Sequence, residues 1–158
     1  IIIHKFNINF NGKTISMTKK EWLHIYEIVG AAMEVYNELG WGMAEPIYQS
    51  ALKEELELRG IPYKKEEPLK TYYKGKVLDK VYIADFLSED VVIELKSVDE
   101  LNSSHRAQLF NYLRITHTVK GLLINFGEPS LHCERYIYIE DEDRFELLTQ
   151  QNFTEFIE

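Results

Sequence analysis

The heptapeptide VVIELKS, Val91 to Ser97, places the strongest constraint on how this chain can fold. Its apolar opening reads as a strand bound for a core, yet Glu94 and Lys96 lie within the same run. A carboxylate and an ammonium inside a buried stretch cost free energy unless they are paired, metal-bound or in functional use. Side chains alternate along a strand, so Glu94 and Lys96 share one face while Ile93 and Leu95 share the other. A fold for this chain has to bury one face of the strand and find a use for the other.

The segments around it read as an α/β order. Asn11-Gly12 predicts a hairpin turn between two short alternating runs. Thr18 and Glu21 stand in the capping-box spacing ahead of a helix that ends at Gly40, with Trp22, Ile25, Val29, Met33, Val35 and Tyr36 at roughly helical intervals. A second helix is expected from Ala44 to Arg59, stopped by Gly60, with Ile47, Leu52 and Leu56 facing inward. Strands follow in IPYKKEEPLKTYYKGK, with Lys74-Gly75 as a turn, and in KVLDKVYIADFLSED. Ser88-Glu89-Asp90 then turns the chain into VVIELKS. Ser103 or Ser104 is expected to cap a third helix containing Leu109, Tyr112 and Leu113. KGLLINFG and LHCERYIYIE read as further strands, and RFELLTQQNFTEFIE as a short closing helix. Two helices, three strands, a helix and more strands predict an α/β domain. The expected boundaries are a hairpin extension over residues 1–17, the main domain over 18–140 and an acidic tail over 141–158. Met17 reads as a plausible natural start.

A length of 158 residues suits one domain, and no apolar run reaches the roughly 20 residues of a bilayer span. The N-terminal stretch lacks a signal peptide's features. Cys133 is the only cysteine, which excludes an internal disulfide and a Cys-rich zinc site; a reducing cytoplasm is the expected compartment. The net charge of −8 argues at first against a polyanionic partner. Its distribution alters that reading. From Glu128 onward nine acids face two arginines, so the rest of the chain is nearly neutral. Within it Lys64, Lys65, Lys70, Lys74, Lys76 and Lys80 outweigh Glu66, Glu67 and Asp79. A merely solvated face explains both runs equally well.

Asp85 ends the strand before VVIELKS, one short turn from Glu94, so a hairpin brings the two carboxylates together. Adjacent carboxylates repel unless a cation joins them, and oxygen ligands without Cys or clustered His suit Mg²⁺ or Mn²⁺. Lys96, on the same face, is placed to act on an attacking water or on developing negative charge. Cross-strand ion pairs on an ordinary exposed face are the competing reading. In GMAEPIY, Glu45 opens the second helix with Tyr48 on the same side; a favourable helix-dipole position explains Glu45 alone. In HRAQLFNYL, His105, Gln108 and Tyr112 fall on one helical stripe that suits a phosphate or a water.

These residues carry a resemblance. GMAEPIY matches the pattern that names the GxxExxY proteins, and YQSALKEELELRGIPYKKE, ADFLSEDVVIELKSVDEL, AQLFNYLR and GLLINFG resemble that family's blocks in order, from about Trp22 to Gly127. The family is similar to the PD-(D/E)xK nucleases, which implies a restriction-endonuclease-like core: a mixed central sheet flanked by helices. The resemblance implies Asp85 and Glu94 as metal ligands, although Ala84 stands where the motif has proline, and Lys96 as the catalytic lysine. Gln108 and Tyr112 resemble the Q-x-x-x-Y motif of RecB-type exonucleases, and Glu45 the upstream helical acid. The implied activity is hydrolysis of phosphodiesters in nucleic acid, DNA ahead of RNA, with no membrane partner. A catalytically silent binding module and an interaction domain acting through the acidic tail are the alternatives. Oligomeric state is left open.

Overall fold

The computed structural model describes residues 7–8, 14–15 and 17–157. Strands β1 (Asn7–Ile8) and β2 (Thr14–Ile15) pair antiparallel, as a hairpin requires; the Asn11-Gly12 turn lies outside the described residues. Helix α1 (Lys19–Leu39) starts where the capping-box spacing predicts. Thr18 Oγ1 accepts from the Glu21 amide at 3.2 Å, and Glu21 Oε2 accepts from the Thr18 amide at 2.6 Å. Ile25, Ile28, Ala31, Ala32 and Val35 form its buried stripe, while Met33, expected inward, is exposed. Helix α2 (Glu45–Leu58) buries Leu52 and Leu56 as expected, but Tyr48 rather than Ile47 fills the first inward position.

The sheet strands follow. β3 (Lys64–Leu69) leads into a small hairpin of β4 (Tyr72–Tyr73) and β5 (Lys76–Val77), turned at Lys74 and Gly75, both with positive φ. β6 (Tyr82–Ser88) and β7 (Val91–Lys96) are joined by a tight turn with Glu89 at φ 53°. Helix α3 (Ser103–Thr116) is capped one residue earlier than expected. Asn102 Oδ1 accepts from the amides of Ser104 and His105 at 2.9 and 3.1 Å, and His105 Nδ1 accepts from the Asn102 amide at 3.2 Å. Asparagine caps at least as well as serine, and here a histidine closes the reciprocal bond. β8 (Lys120–Asn125) and β9 (His132–Ile139) complete the inner sheet.

The closing segment differs from the helix expected of it. Arg144–Leu148 forms strand β10, paired antiparallel with β9, and only Phe153–Glu155 makes a helical turn, of the 3-10 type. Phe145 and Leu148 belong to opposite cores, so period-two burial prevails over helical spacing. Residues 144–148 are thus part of the sheet. Met17 also bridges to Ile157, with its amide 3.1 Å from the Phe156 carbonyl.

The six strands run in the order β10-β9-β8-β7-β6-β3, with β7 and β8 parallel and every other pair antiparallel. One face packs on α1 and α2 through Phe86, Val91, Ile93, Leu95, Leu122 and Ile124; the other packs on α3 through Val92, Leu109, Leu113 and Leu123. Lys120 is only 2% exposed at the start of β8, where its Nζ meets Glu21 Oε1 at 2.8 Å and Asp90 Oδ1 at 2.6 Å. That ion triad ties α1 and the β6–β7 turn to the sheet. At the opposite end Asn125, fully buried, satisfies all of its amide valences. Its Oδ1 accepts from Val98 and Gly127 amides at 3.0 and 3.1 Å. Its Nδ2 donates to the Val98 carbonyl at 2.9 Å and Glu128 Oε2 at 2.7 Å.

This junction leaves no room at Gly127, where a Cβ would sit 2.2 Å from the Val98 carbonyl oxygen. Gly127→Ala is expected to lower stability by about 3 kcal/mol or more in urea unfolding, since backbone must move. Gly30→Ala, mid-helix with its nearest foreign atom at 3.4 Å on the flexible Arg59 side chain, is expected to raise stability by up to about 1 kcal/mol.

Candidate active site

The loop before α2 is fixed from below by Tyr48. Its hydroxyl donates to the Gly40 carbonyl at 2.8 Å and accepts from the Met43 amide at 3.1 Å, while its ring stacks on Phe126 at 4.4 Å between centroids. Tyr48 therefore does not share a functional face with Glu45; it is a buried strut. The Gly42 amide donates to the Phe126 carbonyl at 3.0 Å, and Ser97 Oγ donates to the Met43 carbonyl. These bonds set the N-terminus of α2, and with it Glu45, beside the exit of β7.

The sheet is interrupted at Asp85 on both sides. Between β6 and β7 the paired register ends at Phe86 and Ile93. Between β3 and β6 it lapses opposite Asp85, where Glu66 has φ 53°. Ala84 and Phe86, two residues apart, pack in different cores, so β6 changes face at Asp85. Two carboxylates fill the gap. Asp85 Oδ2 accepts from the Leu95 amide at 2.8 Å, and Glu94 Oε1 accepts from the Asp85 amide at 3.2 Å. Gln49 Nε2, one turn along α2 from Glu45, donates to Asp85 Oδ1 at 3.1 Å. Tyr82 of β6 donates its hydroxyl to Glu94. The backbone donors that the missing ladder would orphan are thus satisfied by acids.

The helix α3 supplies the roof. Tyr112 stacks on Tyr82, and Gln108 donates its amide to the Tyr112 hydroxyl. Gln108 is exposed and Tyr112 half-buried. Arg106 grips Glu134 of β9 with two bonds of 2.6 and 2.8 Å, which anchors α3 and holds the Glu134 carboxyl down at about 2. His105 serves the helix cap; its pKa is lowered by burial and by the charges of Lys96 and Arg106.

Electrostatically the site is a buried acid pair beside one cation. Burial pushes the Glu94 carboxyl up to about 7, and the neighbouring Asp85 adds to the shift; Glu94 is only 9% exposed. Burial also raises Asp85 and Glu45, with Lys96 opposing both shifts and Asp85 reinforcing that of Glu45. The Lys96 ammonium makes no ion pair among the described residues, so its charge reaches Glu45, Asp85 and Glu94 across space. Asp85 and Glu94 adjoin, whereas Glu45 is coupled to Asp85 only electrostatically. Among the described residues no three His, Cys, Asp or Glu side chains are gathered to hold a metal.

Two residues that share this site escaped the sequence reading. Gln49 lies four after Glu45, on its helical stripe, and Tyr82 shares a strand face with Ala84; both spacings were visible. The acid pair suits hard cations by its oxygen donors, and its burial without a contacting counter-ion is itself a reason for a cation to bind.

Glu94 also makes stability depend on pH. It takes up a proton near pH 7 when folded and near 4.5 when unfolded, so between these values the folded state holds more protons. Stability without metal should be fully present below about pH 4.5 and fall as pH rises through 7. Melting curves from pH 5 to 8 in EDTA check this; Glu94→Gln is expected to flatten the fall, and Mg²⁺ to stabilise the wild type more at pH 8 than at pH 5.

The PD-(D/E)XK nuclease superfamily matches residues 23–136, a span that contains every site residue described above. No curated protein and no solved structure matches the chain. Among the described residues no helix is long and apolar enough to cross a membrane. The six-stranded mixed sheet with helices on both faces is a restriction-endonuclease-like core. The chain belongs to the PD-(D/E)XK nuclease superfamily.

Proposed function

We propose that the chain is a divalent-metal-dependent nuclease that hydrolyses phosphodiester bonds, with DNA as its polymer, and that within its superfamily it stands with the GxxExxY proteins. The observation that carries this reading is the buried Asp85–Glu94 pair at a break in the sheet, with Lys96 alongside. Asp85 and Glu94 would hold Mg²⁺ or Mn²⁺, with the Leu95 carbonyl as a further oxygen donor and Glu45 acting at longer range. A bound divalent ion supplies charge stabilisation for the phosphoryl oxygens and lowers the pKa of water. Lys96 lends a positive charge to the phosphate as negative charge develops. Gln108 and Tyr112 offer hydrogen bonds above the strand end, and Gln49 keeps Asp85 oriented from α2. A reducing cytoplasm is the proposed compartment; burial pushes the lone Cys133 thiol up to about 12, which leaves it unreactive there.

A second reading, a binding module without catalysis, is favoured by one observation: Glu45, Asp85 and Glu94 do not form a ready-made three-acid cage. The two readings separate in one assay. Labelled single-stranded, duplex and branched DNA and RNA are incubated with the protein in Mg²⁺, Mn²⁺ or EDTA, beside Glu94→Gln and Lys96→Ala. Cleavage is expected only with metal and on DNA, with each variant slower by about 10²-fold or more. Equal cleavage by wild type and variants would sink the site assignment, while binding without cleavage on every substrate would favour the second reading.

A further inference from the structure

Two exposed aromatic side chains lie on segments that adjoin the site's strands: Trp41 at 54%, in the loop before α2, and Tyr73 at 62%, on the β4–β5 arm. Trp41 is not on a loose loop. Its flanking residues are bonded to Tyr48, Phe126 and Ser97, and the Phe126 amide bonds the Lys96 carbonyl at 2.8 Å. Trp41 is therefore held on the β8 side of the site, at the exit of β7. Tyr73 sits near the tip of the β4–β5 arm, which leaves the sheet after β3 and returns into β6 at Tyr82, the residue bonded to Glu94. The arm is closed at its base by the Leu78 amide on the Thr71 carbonyl at 2.8 Å and the Thr71 hydroxyl on the Lys80 carbonyl.

The arm also carries unusual charge. Lys70, Lys74, Lys76 and Lys80 are exposed, and among the described residues none pairs with a carboxylate; Lys74 Nζ lies 5.5 Å from the Tyr73 ring centroid. Elsewhere Lys53, Arg59, Lys64, Arg106, Arg114, Lys120 and Arg144 hold acids, whereas Lys19, Lys20, Lys65, Lys96 and Arg135 hold none among the described residues, so the arm stands out by gathering four such lysines on one short segment. With Asp79 as the one acid on the arm, its four lysines leave it net positive in a chain of net charge −8, which suits a polyanion there. Phosphates account for the lysines but not for the rings. Exposed ring faces stack on bases, and a base inside a duplex has no free face to offer.

We propose that the nucleic acid passing through the site is single-stranded, its bases stacking on Trp41 and on Tyr73 while the arm lysines hold its phosphates. The polymer's identity rests on the nuclease reading; the strand preference rests on these rings. Fluorescence anisotropy in EDTA, with one labelled oligonucleotide presented single-stranded and as a blunt duplex, tests it. The single strand is expected to bind at least ~10-fold more tightly. Trp41→Ala and Tyr73→Ala should each weaken single-strand binding by roughly ten-fold while leaving duplex binding within about two-fold. Trp41→Phe should recover most of the loss, and quenching of tryptophan fluorescence by the oligonucleotide should vanish in Trp41→Ala. Circular dichroism and melting curves verify that each variant folds. Equal affinity for the duplex, or single-strand affinity unmoved in both alanine variants, would overturn the proposal. Cleavage in Mg²⁺ is scored on the same oligonucleotides. Strand preference without cleavage would remove the nuclease reading alone, and cleavage without strand preference would remove this inference alone.

Discussion

Two carboxylates replace backbone at the centre of this sheet, and the site depends on that substitution. Where β6 and β7 part, the Leu95 and Asp85 amides would be left without acceptors in a buried place, which no fold tolerates cheaply. Asp85 and Glu94 accept those bonds instead. The same hydrogen bonds therefore hold the strands in register and fix the acids in position. The acids also repel one another in a poorly solvated pocket, so the folded chain carries an electrostatic strain that a cation would relieve. Structure and chemistry share these atoms, and neither can be altered without the other.

Much of this was legible in the sequence because the signals were local. The Thr18–Glu21 capping box, the Lys74-Gly75 turn and the short turn before Val91 depend on a few adjacent residues, and each formed where its spacing indicated. The closeness of Asp85 and Glu94 followed from a hairpin with one short turn. The face change at Asp85 was not legible, because YIADFLS is apolar on both sides of Asp85 and does not mark which residues share a face. Tyr48 was misjudged for a related reason. Its i,i+3 relation to Glu45 is real, but a hydroxyl that finds both a donor and an acceptor in the loop above can be wholly buried. Arg144–Leu148 read as helix because five residues are too few to distinguish the two periods without knowing that β9 offers an open edge.

Charge was the least informative property in bulk and among the more informative in detail. A net −8 concealed an uneven distribution: among the described residues cations such as Lys53, Arg59 and Arg106 hold neighbouring acids, while the four lysines of the β4–β5 arm pair with none. Pairing, rather than composition, separates solvated surface from a surface prepared for a partner.

Glu21 illustrates how tightly a position can be specified far from any chemistry. One carboxylate oxygen closes the α1 cap on the Thr18 amide and the other neutralises the buried Lys120. Glutamine would retain the cap but leave the buried Lys120 with Asp90 as its one carboxylate; aspartate keeps the charge on a side chain one methylene shorter. The residue at this place must be both a helix starter and a counter-ion, so a surface helix end carries the sequence stringency usually expected of a core.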